Sequence, residues 1–229
     1  MDGRVLTFRL VGINNQNFVM QDVETGTWWQ QVSGEAILGP LTGRRLTLVA
    51  FDQLTFGVWK AESPRGRVLA PNPAVAAREY DADWEADIAP LPVPLAAAAD
   101  SRLAARALVI GIDVAGAARA YPVEDVTAAR VVLDELGGTP IAIVRAPDGR
   151  STRVFDRRVG GRVLEWIVDT GSPEFRLLDT ATGSAWNFAG VAVSGPLAGT
   201  RLSRLPFLEE YWFDWKAYHP GTDVARGAR

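Results

Sequence analysis

Residues 22–29 read Asp-Val-Glu-Thr-Gly-Thr-Trp-Trp, and residues 179–186 read Asp-Thr-Ala-Thr-Gly-Ser-Ala-Trp, so one stretch of this chain occurs twice. In both stretches an aspartate precedes a Thr-Gly pair, and a tryptophan follows at the same spacing. Glycine adopts positive φ without steric cost, and aspartate in a turn commonly accepts hydrogen bonds from the backbone. Each stretch therefore predicts a tight turn between two strands.

The similarity extends well beyond these turns. Residues 18–69 and 175–225 align with a gap of one residue, and both contain Gly-Pro-Leu-x-Gly, Arg-Leu and Trp-Lys-Ala in the same order. The sequence Gly-Arg-Val-Leu occurs at 3–6 and again at 161–164, which extends the alignment towards the N-terminus. A repeat this long is not a solenoid period, so we expect a duplicated domain or half-domain.

The composition is that of an ordinary globular protein. Of the 229 residues, 48% are hydrophobic and 22% are charged, and the net charge of −3 does not indicate a nucleic-acid partner. The sequence has neither an apolar run of roughly 18 residues, which a membrane span requires, nor a secretory signal pattern. We therefore expect a soluble protein with no transmembrane segment, whose compartment is not identified by its sequence.

Cysteine is absent, and the chain has one histidine and two methionines. Disulfides, thiolate metal sites and thiol nucleophiles are thereby excluded, and borderline metal ligands are almost absent. Carboxylates could still bind calcium or magnesium, but no loop of EF-hand spacing occurs. We therefore predict no cofactor and no metal.

Short apolar runs between glycines and turn residues favour a β-rich α+β fold. Strands are predicted at 5–11, 18–22 and 44–51 in the first repeat and at 163–168, 174–179 and 200–205 in the second. A helix is predicted at the end of each repeat, over 53–62 and 208–218. Ser63-Pro64 and His219-Pro220 would end these helices, because proline disfavours the helical conformation in the residue before it.

Three regions are predicted: a partial repeat at 3–71, a Pro/Ala-rich strap at 72–100 that contains Trp84, and a full copy at 101–226. Proline-rich segments are extended and stiff, so the strap is expected to run along the surface. Within 101–160, which the first repeat lacks, we predict a hairpin at 108–121, a helix over 126–136 ending at Gly137-Gly138, and strands at 139–144 and 152–156.

Spaced motifs in both halves of the chain resemble the DUF3179 family, whose function is not established. The front of the second copy carries Arg-Ala-Tyr-Pro at 119–122, Gly-Gly-Thr-Pro at 137–140 and Val-Phe-Asp-Arg at 154–157. The turn at 22–29, the Gly-Pro-Leu-Thr-Gly at 39–43 and the tryptophans before His219-Pro220 resemble the closing half of that family. The resemblance implies one and a half copies of a family-type unit.

Two departures from the family pattern bear on chemistry. The resemblance places a Cys-Pro-x-Cys motif at residues 146–149, where this chain has Ala146 and Gly149 around a retained Pro147. It also places a Trp-His-Glu motif on Ala128, Ala129 and Arg130. Thiolates beside an imidazole are the usual groups of a metal or redox site. If the family has chemistry there, we expect this chain not to perform it.

The remaining polar candidates have both a functional and a structural interpretation. His219 could act as a base or ligand supported by Asp214 or Asp223, but a helix C-terminal histidine also complements the helix dipole, and the first repeat has Ser63 at the same position. The matched acids Asp22 and Asp179 could serve carboxylate catalysis, although their position before Thr-Gly favours a turn role.

The tryptophans that recur in both repeats are predicted to be core anchors. Four aromatic residues are not matched by tryptophan in the other repeat and are candidates for a partner-binding surface: Trp28, Tyr211, Trp212 and Phe213. Residues 211–213 would be consecutive in a helix and could not all face one core.

We therefore expect a non-catalytic structural or accessory subunit that acts through protein–protein contacts with another chain or a larger assembly. The alternatives are a carboxylate- and His219-dependent hydrolase and a small-ligand, carbohydrate-like binding module.

Overall fold

The structure is a computed structural model that describes residues 3–14, 17–70, 86–87, 90, 92–93 and 100–225. Trp84 and most of the predicted strap lie outside the described residues. The N-terminal sheet consists of β1 (Phe8–Asn14), β2 (Asn17–Asp22), β3 (Trp28–Gln30) and β4 (Ala36–Leu38), paired antiparallel in chain order. It is followed by helix α1 (Phe56–Glu62).

The second part of the chain begins with β5 (Leu108–Val114), β6 (Ala117–Pro122), α2 (Val123–Ala129), β7 (Val131–Leu136), β8 (Thr139–Arg145) and β9 (Thr152–Asp156). A short ribbon of β10 (Arg158–Val159) and β11 (Arg162–Val163) leads to β12 (Trp166–Val168), β13 (Arg176–Asp179), β14 (Ala185–Asn187) and β15 (Ala192–Ser194). The chain continues through β16 (Ser203–Arg204), β17 (Leu208–Tyr211), α3 (Trp212–Tyr218) and β18 (Asp223–Val224).

The strands after residue 100 form three four-stranded sheets. The helix-backed sheet has the order β17-β5-β6-β18, the central sheet β16-β9-β8-β7, and the outer sheet β12-β13-β14-β15. Every residue of β8 is buried, because both faces of the central sheet are covered. The β-rich prediction is confirmed.

Two hydrophobic clusters join these sheets into layers. Ile141 and Ile143 of the central sheet pack with Ile110 and Ile112 of the helix-backed sheet. Ala142 and Val144, which alternate with them along β8, pack with Trp186 of the outer sheet. A third cluster places Trp212 and Trp215 of α3 against Val109 and Ala120, on the other face of the helix-backed sheet.

The N-terminal and outer sheets have equivalent pairing. Trp29 pairs with Met20 and Ala36, just as Trp186 pairs with Leu177 and Ala192. In both sheets the register shifts at the residue before this tryptophan. Isolated bridges at Glu35–Arg45 and Val191–Arg201 then follow at matching positions.

The predicted helix over 126–136 is wrong. Helix α2 ends at Ala129, Arg130 takes a positive φ of 63°, and residues 131–136 form β7, which pairs along its whole length with β8. The stretch Val-Val-Leu contains the β-branched residues that favour strands, and pairing with a fully buried strand outweighs its helical spacing. Gly137-Gly138 forms a hairpin turn rather than a helix end.

The two repeat-end helices are shorter than predicted. Residues 208–211 form strand β17, which pairs with β5, so α3 begins only at Trp212. Helix α1 begins at Phe56, because the Thr55 side chain accepts a hydrogen bond from Val58 N–H and caps it. The strand predicted at 44–51 is also wrong, since only the single bridge at Arg45 forms there.

Most of the remaining strand predictions are approximately correct, although β1 (Phe8–Asn14) begins and ends about three residues later than the strand predicted at 5–11. The hairpin at 108–121 and the strands at 139–144 and 152–156 match β5, β6, β8 and β9 within two residues at most ends. The predicted strands at 163–168 and 200–205 are each reduced to short segments. In the part of the chain that the structure describes, no helix is long and apolar enough to cross a membrane.

Candidate functional site

The two sets of positions at which the resemblance places cysteine and histidine lie side by side. The turn at 146–149 joins β8 to β9, and residues 128–130 end helix α2. The backbone N–H of Arg145 donates to the carbonyl of Arg130 at 2.8 Å. A Cβ at Gly149 would lie 3.9 Å from Cγ2 of Thr127. The two segments therefore adjoin, but alanine, glycine and Arg130 supply neither thiolate nor imidazole.

A segment of the first repeat, residues 52–62, is docked beside this turn. Thr152 N–H donates to the carbonyl of Gln53 at 2.8 Å, and Thr55 N–H donates to Oγ of Ser151 at 2.9 Å. The Thr55 hydroxyl donates to Oδ2 of Asp148 at 2.8 Å. We call this segment, with the residues it contacts at 148–153, the docking contact.

Asp148 fixes the local geometry of the docking contact. Its carboxylate accepts hydrogen bonds from the backbone N–H of Arg150 and Ser151, and from the hydroxyls of Ser151 and Thr55. Burial acts to raise its pKa, but these hydrogen bonds outweigh burial and lower the pKa to about 2. Asp148 is therefore charged at neutral pH and held by its donors.

Arg153 is the buried charge of the docking contact. Its side chain is 2% exposed, and its guanidinium binds Asp52 at 2.9 Å and Glu62 at 2.6 Å, both from the first repeat. It also lies 4.5 Å from the ring centre of Phe188. Removing the partners of a buried charge typically costs about 3–5 kcal/mol, so these contacts fix residues 52–62 firmly to the second repeat.

Most of the predicted aromatic surface is buried within the chain. Trp212 and Phe213 are 1% and 2% exposed. The prediction of an exposed surface assumed that residues 211–213 share one helix, but Tyr211 ends β17 and α3 begins at Trp212. The Tyr211 ring stacks on Phe213 at 6.0 Å, and both Tyr211 and Trp28 are partly buried. Trp212 and Phe213 thus offer no accessible surface in this structure.

The three predicted polar residues lie in different surroundings. Nε2 of His219 lies 3.8 Å from Asp113, and its ring stacks on Trp215 at 3.6 Å. Burial lowers the pKa of His219, while the Trp215 carbonyl and Asp113 act in the opposite direction. Asp223 lies 3.8 Å from Arg119 instead. His219 lines a cavity of about 700 Å³ that residues 31–34 and 45–49 of the first repeat also line.

The third polar residue, Asp214, belongs to a buried carboxyl pair that sequence reasoning missed. Burial, followed by the charge and hydrogen bond of Asp214, raises the pKa of Glu210 to about 8, and burial also raises the pKa of Asp214. Glu210 is therefore protonated at neutral pH. Asn17 of β2 donates to Oδ1 of Asp214, so the pair lies where the two repeats meet. The pair is divided between a strand and a helix that the sequence predicted as one helix.

A second cavity, of about 760 Å³, lies beside the Arg-Ala-Tyr-Pro motif. Arg119 and the Tyr121 hydroxyl both donate to Oδ2 of Asp134, at 2.5 and 2.7 Å. Asp134 lies on β7 of the central sheet, and Arg119 and Tyr121 lie on β6 of the helix-backed sheet. The packing of the two sheets therefore creates this cluster. Because the sequence predicted a helix over 126–136, it did not predict this cluster.

Among the residues that the structure describes, no three His, Cys, Asp or Glu side chains form a group that could hold a metal ion.

Comparison with known proteins gives a family and no function. The sequence model of the family described as "Protein of unknown function (DUF3179)" matches residues 1–222. No curated protein matches the chain, and no solved structure matches it.

Proposed function

We propose that this chain, which belongs to the DUF3179 family, is a non-catalytic structural or accessory subunit that works through protein–protein contacts. This proposal rests on the residues that occupy the turn at 146–149 and the adjoining helix end. The family-type Cys and His positions hold small side chains and an arginine. The turn instead takes part in the docking contact, where Asp148 binds Thr55.

We further propose that the chain arose from one and a half copies of one unit. The N-terminal and outer sheets share strand order, tryptophan pairing and the position of the register shift. The residues that end α1 and α3 also match: Ser63 has φ −128° and ψ 64°, His219 has φ −126° and ψ 66°, and both donate to the carbonyl four residues earlier. The boundaries 3–71, 72–100 and 101–226 remain a prediction.

A test of the lost site is to rebuild it. The triple variant Ala146→Cys, Gly149→Cys and Ala129→His restores the three family-type groups in two segments that adjoin in the fold. We expect the variant to bind one Zn²⁺ in calorimetry, because thiolates and imidazole are good zinc ligands. The wild-type chain should show no binding under the same conditions. Stoichiometric zinc binding by the wild type would contradict the loss of the site.

The test of the accessory role is the state of the chain in its native source. We expect it to migrate in a native extract as part of an assembly with at least one stoichiometric partner of different sequence. Substitution of Tyr121→Phe or His219→Ala should leave that assembly intact. If the native chain migrates free of other proteins, the accessory role is wrong.

One observation favours a second candidate function, a His219-dependent hydrolase. His219 and Asp113 face each other at 3.8 Å on the wall of the cavity of about 700 Å³, and an adjacent carboxylate can orient a histidine base. A hydrolytic activity found in the purified chain should then be abolished by His219→Ala and reduced by Asp113→Asn. If turnover persists in His219→Ala, this candidate is wrong.

A further inference from the structure

On the face of the N-terminal sheet that carries the buried Trp29, the apolar side chains of β1 and of the start of β2 are exposed. Phe8, Leu10, Ile13 and Phe18 are 36%, 60%, 69% and 47% exposed. Phe8, Leu10 and Ile13 of β1 pair directly with Asp22, Met20 and Phe18 of β2. Directly paired residues point to the same face of a sheet, and Met20 in turn pairs with Trp29. All of these side chains therefore lie on the face that carries Trp29. We call this surface, formed by Phe8, Leu10, Ile13 and Phe18, the open face.

The outer sheet shows what covers the equivalent face. By the matching register, Phe8 corresponds to Trp166, and Phe18 corresponds to Phe175. Trp166 is 4% exposed and belongs to the cluster that also contains Ala142, Val144 and Phe155 of the central sheet, and Phe175 packs against that cluster. The cover is thus another antiparallel sheet with an apolar face.

Neither the central sheet nor the helix-backed sheet has a face left to cover the open face. The central sheet uses one face for the outer sheet and the other for the helix-backed sheet. The helix-backed sheet is covered in turn by the aromatic residues of α3, Trp212 and Trp215. Residues 101–160, which provide the cover within the second repeat, have no counterpart in the first. A cover of the same kind must therefore come from outside these layers.

We propose that the open face is a homodimer interface, in which the N-terminal sheets of two chains pack face to face. The four side chains that form the open face carry no charge, so two identical faces can meet about a two-fold axis without burying an unpaired ion. Two antiparallel sheets with apolar faces pack about 10 Å apart with their side chains interdigitated. Each open face thus covers the open face of its partner, as the central sheet covers Trp166.

This interface rests on the proposed function in that both require protein contacts, but the two differ in the partner. The purified chain alone should dimerise through the open face. The accessory role requires a partner of different sequence in the native source. A chain that dimerises when pure and is free of other proteins in the native extract retains the interface and loses the accessory role. A chain that is monomeric when pure but belongs to a hetero-assembly in the native extract loses the interface and retains the accessory role.

The first experiment measures the mass of the purified full chain by light scattering after size exclusion. We expect a dimer, with twice the chain mass of 24.8 kDa. The double variant Leu10→Lys and Ile13→Lys should weaken the dimer by about a hundredfold, since burying the added charges costs several kcal/mol. The matched control is Ile167→Lys and Val193→Lys, on exposed positions of the outer sheet that are 53% and 42% exposed, and it should remain dimeric.

The second experiment uses the absence of cysteine from the chain. The variant Leu10→Cys carries a single thiol on the open face, and mild oxidation should give a disulfide-linked dimer on a non-reducing gel. Ile167→Cys should remain largely unlinked. A wild-type monomer across the accessible concentration range overturns the proposal, and so does a lysine variant that folds and dimerises like the wild type. If Leu10→Cys links no faster than Ile167→Cys, the contact does not involve this face.

Discussion

The N-terminal sheet and the outer sheet have the same strand order and pairing but very different burial. Trp29 and Trp186 are both 0% exposed, yet the residues around them diverge: Phe8 is 36% exposed, and its counterpart Trp166 is 4% exposed. The difference arises from what lies above each sheet, because only the outer sheet is packed on the central sheet. Burial of a sheet face is thus a property of the layered assembly, and a repeated sequence does not guarantee a repeated environment.

The helices that end the two repeats show the same divergence. Trp212 and Trp215 of α3 are buried against the helix-backed sheet. Of their counterparts on α1, Phe56 is 62% exposed and Trp59 is partly exposed, and the two rings stack on each other at 5.6 Å. Helix α1 is capped by Thr55, paired with Arg153 through Glu62, and packs Val58 against the cluster that joins the central and outer sheets. This helix is therefore attached to the second repeat by both polar and apolar contacts.

The largest expected difference concerns the matched tryptophans. Trp186→Ala should lower the free energy of unfolding by about 3–5 kcal/mol, because it leaves a cavity in the cluster that joins the central and outer sheets. Trp29 is equally buried, but it is not a member of the clusters that join the sheets, so Trp29→Ala should cost less in global unfolding. Urea unfolding monitored by circular dichroism measures both. Equal losses of global stability would contradict this difference between the two sheets.

The buried carboxyl pair between the repeats gives a pH dependence. The pKa of Glu210 is raised from 4.5 to about 8, so protonated Glu210 stabilises the fold fully below pH 4.5, and this contribution is lost as the pH rises through about 8. Glu210→Gln should remove this loss and stabilise the chain above pH 8 by on the order of 2 kcal/mol relative to the wild type.

The control for this pH experiment is Glu124→Gln, at an exposed position of α2. Thermal unfolding midpoints between pH 5 and pH 9 provide the measurement. The slope of midpoint against pH should flatten in Glu210→Gln and stay unchanged in Glu124→Gln. If Glu210→Gln keeps the wild-type slope, the pair is not protonated as described.

The hydrogen bonds of Asp148, one part of the docking contact, should give the smallest of these effects on stability. Asp148→Ala removes the acceptor for Ser151 and Thr55, and we expect a loss of about 1–2 kcal/mol, confined to the attachment of residues 52–62. Limited proteolysis should then cleave this segment faster than in the wild type. The control Asp169→Ala removes a comparable acceptor from an exposed turn at Gly171, where it should not change cleavage of residues 52–62.

Local patterns predicted the fold where the residues themselves determine the backbone. The Thr-Gly turns after Asp22 and Asp179 form with positive φ at Gly26 and Gly183, and both carboxylates accept from the threonine hydroxyl as expected for a turn role. The helix end at Ser63 and the short β5–β6 hairpin were likewise predicted from the positions of proline and glycine.

Features that depend on contacts between residues far apart in the chain could not be predicted from the sequence. Residues 131–136 have helical spacing but form a strand, because β8 offers a complete set of backbone partners. That error concealed the Arg119–Asp134 cluster, and the incorrect helix over 208–211 concealed the Glu210–Asp214 pair. Trp212 and Phe213 were assigned to the surface for the same reason. Each of these depends on contacts between residues far apart in the chain.

The most direct test of the central claim is hydrogen exchange of the backbone amides in the two sheets. At low protein concentration, β1 and β2 should exchange faster than their counterparts β12 and β13, because only the outer sheet is packed on the central sheet. Raising the concentration should slow exchange in the N-terminal sheet alone, as two open faces come together. Equal exchange in both sheets, independent of concentration, would contradict the account.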